Sequence, residues 1–138
     1  MKNKVILITG TNAGIGKSIV KTLEKEKCII IATSRKKNNN KNRKNIYYHN
    51  LDVTKEDQWK EIMHHIKKQF GKLDVLINNA GVRISGDIEN TSLKLWNDII
   101  NVNLTSMFIG CKYALPLLKK SKNASIVNLA SITSIRGV

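Results

Sequence analysis

Short unbroken runs of β-branched and aliphatic residues alternate along this chain with stretches whose apolar residues recur every three or four positions. No other feature restricts its fold as much. Val5-Ile6-Leu7-Ile8-Thr9, Cys28-Ile29-Ile30-Ile31-Ala32-Thr33, Ile46 to Leu51, Leu73-Asp74-Val75-Leu76-Ile77 and Ser125-Ile126-Val127-Asn128-Leu129-Ala130 read as five strands. The first two are apolar at successive positions, the pattern of strands covered on both faces. Between the strands, Ile15, Ile19, Val20 and Leu23 form one helical stripe, and Trp59, Ile62, Met63, Ile66 and Phe70 form another. A long helix is predicted from Ser92 to Lys120, with Pro116 near its end, where a kink costs least. Strand and helix alternating at this spacing imply βαβ units with right-handed crossovers and a parallel sheet. The expected fold is α/β, a doubly wound parallel sheet in a three-layer αβα sandwich. Strand order 3-2-1-4-5 would place a ligand cleft at the switch point between strands 1 and 4.

Residues 1–138 suffice for one domain that needs no disulfide or metal staple. No apolar run approaches the roughly 18 residues of a membrane span. The early run Val5 to Ile8 is too short for a signal-peptide core. Cys28 and Cys111 lie far apart and read as reduced thiols, so a cytoplasmic location is expected. The net charge of +14 taken alone suggests a polyanion. Yet lysine, asparagine and isoleucine, which share A/T-rich codons, make up 55 of the 138 residues. The basic residues are also mostly scattered, as on a solvated surface. Neither nucleic acid nor membrane is therefore the expected partner. Arg35 to Asn45 reads as an exposed polar loop. Thr54 and Asp57 have capping-box spacing ahead of the second helix, and Gly71 suits the position just past its end.

Thr9-Gly10-Thr11-Asn12-Ala13-Gly14-Ile15-Gly16 joins the first strand to the first helix. Gly10 lets the chain turn sharply, Gly14 lets backbone approach a diphosphate, and Gly16 lets the helix pack close to the sheet. The helix N-terminus then offers free N–H groups to phosphate oxygens. By itself such a triplet can be an ordinary tight turn. Its place between a buried strand and an amphipathic helix favours nucleotide binding. Its spacing is neither Gly-x-Gly-x-x-Gly nor that of a Walker loop.

The loop resembles the TGxxxGIG signature of the short-chain dehydrogenases/reductases. Asn78-Asn79-Ala80-Gly81, Asn101-Val102-Asn103 and Ile126 to Ser131 resemble further motifs of that family, in the right order, and Asp52-Val53 resembles its adenine-side pair. The resemblance implies a Rossmann-like NAD(P)-binding domain over 1–138, ending after the fifth strand. It also implies an NAD(P)(H)-dependent oxidoreductase that interconverts a carbonyl and an alcohol on a small molecule. Gly10, Asn12, Gly14, Ile15, Gly16, Asp52, Val53, Asn79, Ala80 and Gly81 would line the cofactor. Family members choose their cofactor at the end of the second strand, where an acid would favour NAD. Here Ser34 and Arg35 occupy that end, followed by Lys36. A guanidinium can grip a 2′-phosphate through two parallel hydrogen bonds and a serine can add a third, so NADP is favoured over NAD. Against this, Arg35 also starts a basic loop, and Ala13 is apolar where the glycine loop of the family often carries a basic residue.

Hydride reduction of a ketone builds negative charge on the carbonyl oxygen, so the site must place donors there and deliver a proton. By resemblance Ser131 would hold that oxygen, with Ser134 as the alternative, and Asn103 would support a water in the proton relay. The Tyr-x-x-x-Lys pair that would complete the relay does not occur. Four residues beyond Tyr47, Tyr48 and Tyr113 stand Leu51, Asp52 and Leu117. The family spacing would put the pair just past Val138. Two readings follow: a fragment of a reductase of ordinary length, or a natural short product that binds nucleotide without turnover. Either way the 138 residues alone are expected to be inactive. The strand-5 edge would be exposed and apolar, which invites association, so a homo-oligomer is a candidate assembly. The competing class is a non-catalytic module, either a nucleotide sensor or a basic nucleic-acid binder. No metal site is expected. His64 and His65 are adjacent on a helix and point roughly 100° apart, and His49 has no partner in sequence.

Overall fold

The computed structural model describes residues 3–36, 42–83, 86–132 and 136. Strands β1 (Val5–Ile8), β2 (Ile29–Ser34), β3 (Ile46–Asn50), β4 (Val75–Asn78) and β5 (Ser125–Asn128) form one sheet in the order β3-β2-β1-β4-β5. All pairings are parallel. Leu7 of β1 stands between Ile31 of β2 and Leu76 of β4. The predicted fold class, strand order and five strands are all present, with edges moved by one or two residues.

Side chains alternate along β1, and the strand feeds two separate cores. Val5 and Leu7 join Trp59, Ile62, Met63 and Ile66 of helix α2 (Glu56–Phe70) on one face. Ile109, Ala114, Leu117 and Leu118 of helix α4 (Ser106–Leu118) complete that core. Ile6 and Ile8 meet Val20 of helix α1 (Gly14–Leu23) on the other. Burying each of these aliphatic side chains is worth about 1.5–3 kcal/mol. Trp59 is fully buried and donates its indole N–H to the Val53 carbonyl at 2.9 Å. Its ring lies so close to Gly110 that a Cβ there would stand 2.8 Å from it, so α4 can cross α2 only with glycine at that point. Asp74 is buried just before β4. It accepts from the Val5 N–H at 2.8 Å, from Lys72 and from Ser121, and so ties the starts of β1 and β4 to the segment before β5. Burial pushes its carboxyl up, but those donors outweigh burial and hold it below the ordinary carboxylate range.

Two expectations need correction. Thr54 and Asp57 form no capping box. Lys55 is the N-cap residue of α2, without a side-chain bond, because the Thr54 hydroxyl is committed to Asp52. The long helix is not one α-helix. It comprises helix α3 (Leu93–Ile100), a π-helical segment (Asn101–Thr105) and α4, begun by a Ser92 side chain that accepts from Leu95 N–H. His49, partnerless in sequence, stacks edge-on against His65 across β3 and α2, with ring centroids 4.3 Å apart. Gly71 closes α2 with φ +71°, as predicted. Among the described residues, no helix is long and apolar enough to cross a membrane. Part of the Arg35–Asn45 stretch lies outside the described residues, as does Ser134.

Candidate functional site

β1 ends and the chain turns at Gly10, whose φ of +71° and close approach to Ala80 exclude a side chain: a Cβ would lie 2.8 Å from the Ala80 Cα. A Cβ on Gly16 would overlap the Gly10 carbonyl and the Asn79 amide, so the first turn of α1 is drawn down onto the sheet. The N-cap residue of α1, Ala13, supplies no side-chain acceptor, which leaves the opening N–H groups of the helix uncapped. Around Gly14 there is open space.

The segment after β4 is tied to this turn through one threonine. The Thr9 hydroxyl accepts from the N–H groups of Asn79 at 3.0 Å and Ala80 at 2.9 Å. The Asn79 side-chain amide returns two bonds, to the carbonyls of Thr9 at 2.8 Å and Gly10 at 3.0 Å. Thr11 binds the Thr33 carbonyl through both its N–H and its hydroxyl, which fixes the loop to β2. The floor of the site is therefore stitched across β2, β1 and β4.

Above it lies a cleft of about 570 Å³. Gly10, Asn12, Gly14, Ile15, Gly16, Ser34, Arg35, Asp52, Val53, Asn79, Ala80 and Gly81, the predicted cofactor residues, all line it. It opens at the ends of β1, β2 and β4, where the strand order reverses. Lys36, Leu51, Val82 and Val102 line it as well. Ser34 is buried and donates its hydroxyl to the Lys36 carbonyl at 2.8 Å. Its proton is thus spent on the turn, and the groups offered to an anion at this end are the exposed Arg35 and Lys36.

The two predicted catalytic residues are not among the lining groups. Ser131 is exposed, just past β5. Asn103 lies in the π-helical segment. Its side-chain oxygen accepts from the Val82 N–H at 2.8 Å and its amide donates to the Val82 carbonyl at 2.9 Å. It thus clamps the segment that follows β4. Thr9 and Val82 carry much of this geometry, yet neither was among the predicted site residues, although Thr9 opens the signature loop. A threonine ending a buried strand can be satisfied in many ways, and only the fold shows which N–H groups it meets.

The model of the short chain dehydrogenase family matches residues 4–138. The chain belongs to that family. Among related proteins, a 3-oxoacyl-[acyl-carrier-protein] reductase from Thermotoga maritima is 32% identical to this chain, covering 99% of this chain and 59% of that one. It is 30% identical to a meso-2,3-butanediol dehydrogenase from Serratia marcescens, covering 98% and 56%. The ligand-free structure of Thermoplasma acidophilum aldohexose dehydrogenase superposes with a TM-score of 0.89 at 34% identity, over 96% of this chain and 51% of that one. The chain thus spans about half the length of the relatives it matches.

Proposed function

We propose that the cleft holds the dinucleotide of an NAD(P)(H)-dependent oxidoreductase that interconverts a carbonyl and an alcohol, with NADP preferred. The observation that carries this reading is the convergence of a side-chain-free turn, an uncapped helix start and a basic strand end on one cleft. The diphosphate would lie against the N–H groups that open α1, with Gly14 leaving room for it. Arg35, helped by Lys36, would take a 2′-phosphate, while Ser34 shapes the turn that presents them. Asp52 and Val53 would receive the adenine end, and Asn79, Ala80 and Gly81 the other half. Bound NADPH would supply the hydride.

On the chain's side, Ser131 would donate a hydrogen bond to the substrate oxygen as charge builds there. Asn103 would act through Val82, since both ends of its amide are committed to that backbone. No Tyr-x-x-x-Lys occurs among the 138 residues, so we propose that they bind nucleotide without turning over substrate. The relatives named above are reductases and dehydrogenases of different substrates, and the class of substrate here is a small carbonyl or alcohol.

Titration with NADPH and NADH tests the reading. Arg35→Asp should weaken NADPH by about tenfold or more, the scale of a lost charge-assisted contact, and leave NADH nearly unchanged. Equal losses would overturn the NADP assignment. Failure of the unmodified chain to bind either nucleotide would overturn the cleft's function.

A further inference from the structure

We infer that Thr54 and Gln58 are positioning residues for base recognition, holding Asp52 so that one carboxylate oxygen reads the amino group of adenine. The inference rests on the nucleotide reading above and deepens it. Nearly every polar atom of Asp52 is committed within the chain. Its N–H donates to Gln58 Oε1 at 2.6 Å. Its carbonyl accepts from the Lys55 N–H at 3.0 Å. Its Oδ1 accepts twice from Thr54, from the N–H at 3.0 Å and from the hydroxyl at 2.7 Å. Oδ2 is the atom that none of these bonds uses.

The bonds also have a rigid source. Gln58 sits in the first turn of α2, beside Trp59, whose buried ring grips the Val53 carbonyl. Two of the residues that line the cleft here, Asp52 and Val53, are thus both held from α2. A carboxylate fixed at one oxygen cannot rotate to suit whatever approaches the other. Adenine presents an N–H donor at its 6-position and would be accepted. Hypoxanthine presents a carbonyl there, so two acceptors would face each other. Thr54 is therefore a source of base selectivity although its own hydroxyl points at Asp52.

The test compares NADPH with its reduced hypoxanthine analogue by titrating nicotinamide fluorescence on the whole chain. The unmodified chain should prefer NADPH by about tenfold or more, the worth of one hydrogen bond to a charged group. Thr54→Val should reduce that preference to about twofold by weakening NADPH alone, and Gln58→Leu should act in the same direction. Thr54→Ser keeps the hydroxyl and should restore the preference. Far-UV circular dichroism and the thermal midpoint check that each variant folds. If Thr54→Val weakens both nucleotides in proportion, Thr54 is merely structural and the inference fails. If the unmodified chain binds both nucleotides equally, Asp52 does not read the amino group and the inference fails while the cleft's function stands. If neither nucleotide binds, the function itself is overturned.

Discussion

Thr9 shows how much one hydroxyl can carry. It is buried at the end of β1, and its oxygen serves two N–H groups of the segment after β4. Thr9→Val keeps the shape and removes the acceptor, leaving two amides without their partner. The expected cost is about 1–3 kcal/mol of stability, read from urea unfolding, together with weaker NADPH binding. A variant as stable and as tight as the parent would show that water replaces the hydroxyl. Gly10 and Gly16 were readable from sequence because their roles are local: a turn and a close approach need a missing side chain. Thr9 was not, because its partners lie some 70 residues away. Asp52 was legible only as a motif. That Thr54 serves it, rather than capping α2, depends on how the chain leaves β3.

At the scale of elements, β3 and α2 meet through rings. Tyr47 packs edge-on against Phe70 and His49 against His65. Among the described residues, the Nε2 atoms of both histidines are buried without a hydrogen-bond partner. Burial, and then electrostatic repulsion by the neighbouring His65, hold His49 below its ordinary range. Neighbouring groups offer no relief. Thr33, opposite on β2, spends its hydroxyl on the Ile8 carbonyl, and Glu61, His64 and Lys68 on α2 are exposed. A lowered folded pKa means that the stability is whole above the unfolded value of about 6.5 and is lost as pH falls through it toward the folded one. The urea midpoint should therefore drop between pH 7.5 and pH 5, and drop less in His49→Phe. Equal drops would place the acid sensitivity elsewhere.

The five strands, their order and two of the helices were legible because burial on both faces leaves continuous apolar runs. The break of the long helix at Asn101–Thr105 was not. A π-helical turn has no composition of its own, and here it coincides with the clamp that Asn103 makes on Val82.

For the whole molecule, the sheet has unlike borders. Among the described residues β5 pairs only with β4, and Ile126 and Val127 on it are each more than two-fifths exposed. A parallel-sheet edge with exposed β-branched residues is a template for pairing. Sedimentation at rising concentration should show association of the chain, and Val127→Lys should suppress it by placing a charge on that border. A monomer at all concentrations would show that the edge is inert. The +14 charge works against association at low salt, so the effect should grow as salt is added.

The side-chain amide of Asn79 bridges two carbonyls of the turn, so the turn is braced by bonds internal to the chain. In the function proposed above, a dinucleotide would lie against a turn that the chain itself holds in place. The freezing of motion would then fall mainly on that dinucleotide, whose own rotatable bonds would be the chief entropic opponent of affinity.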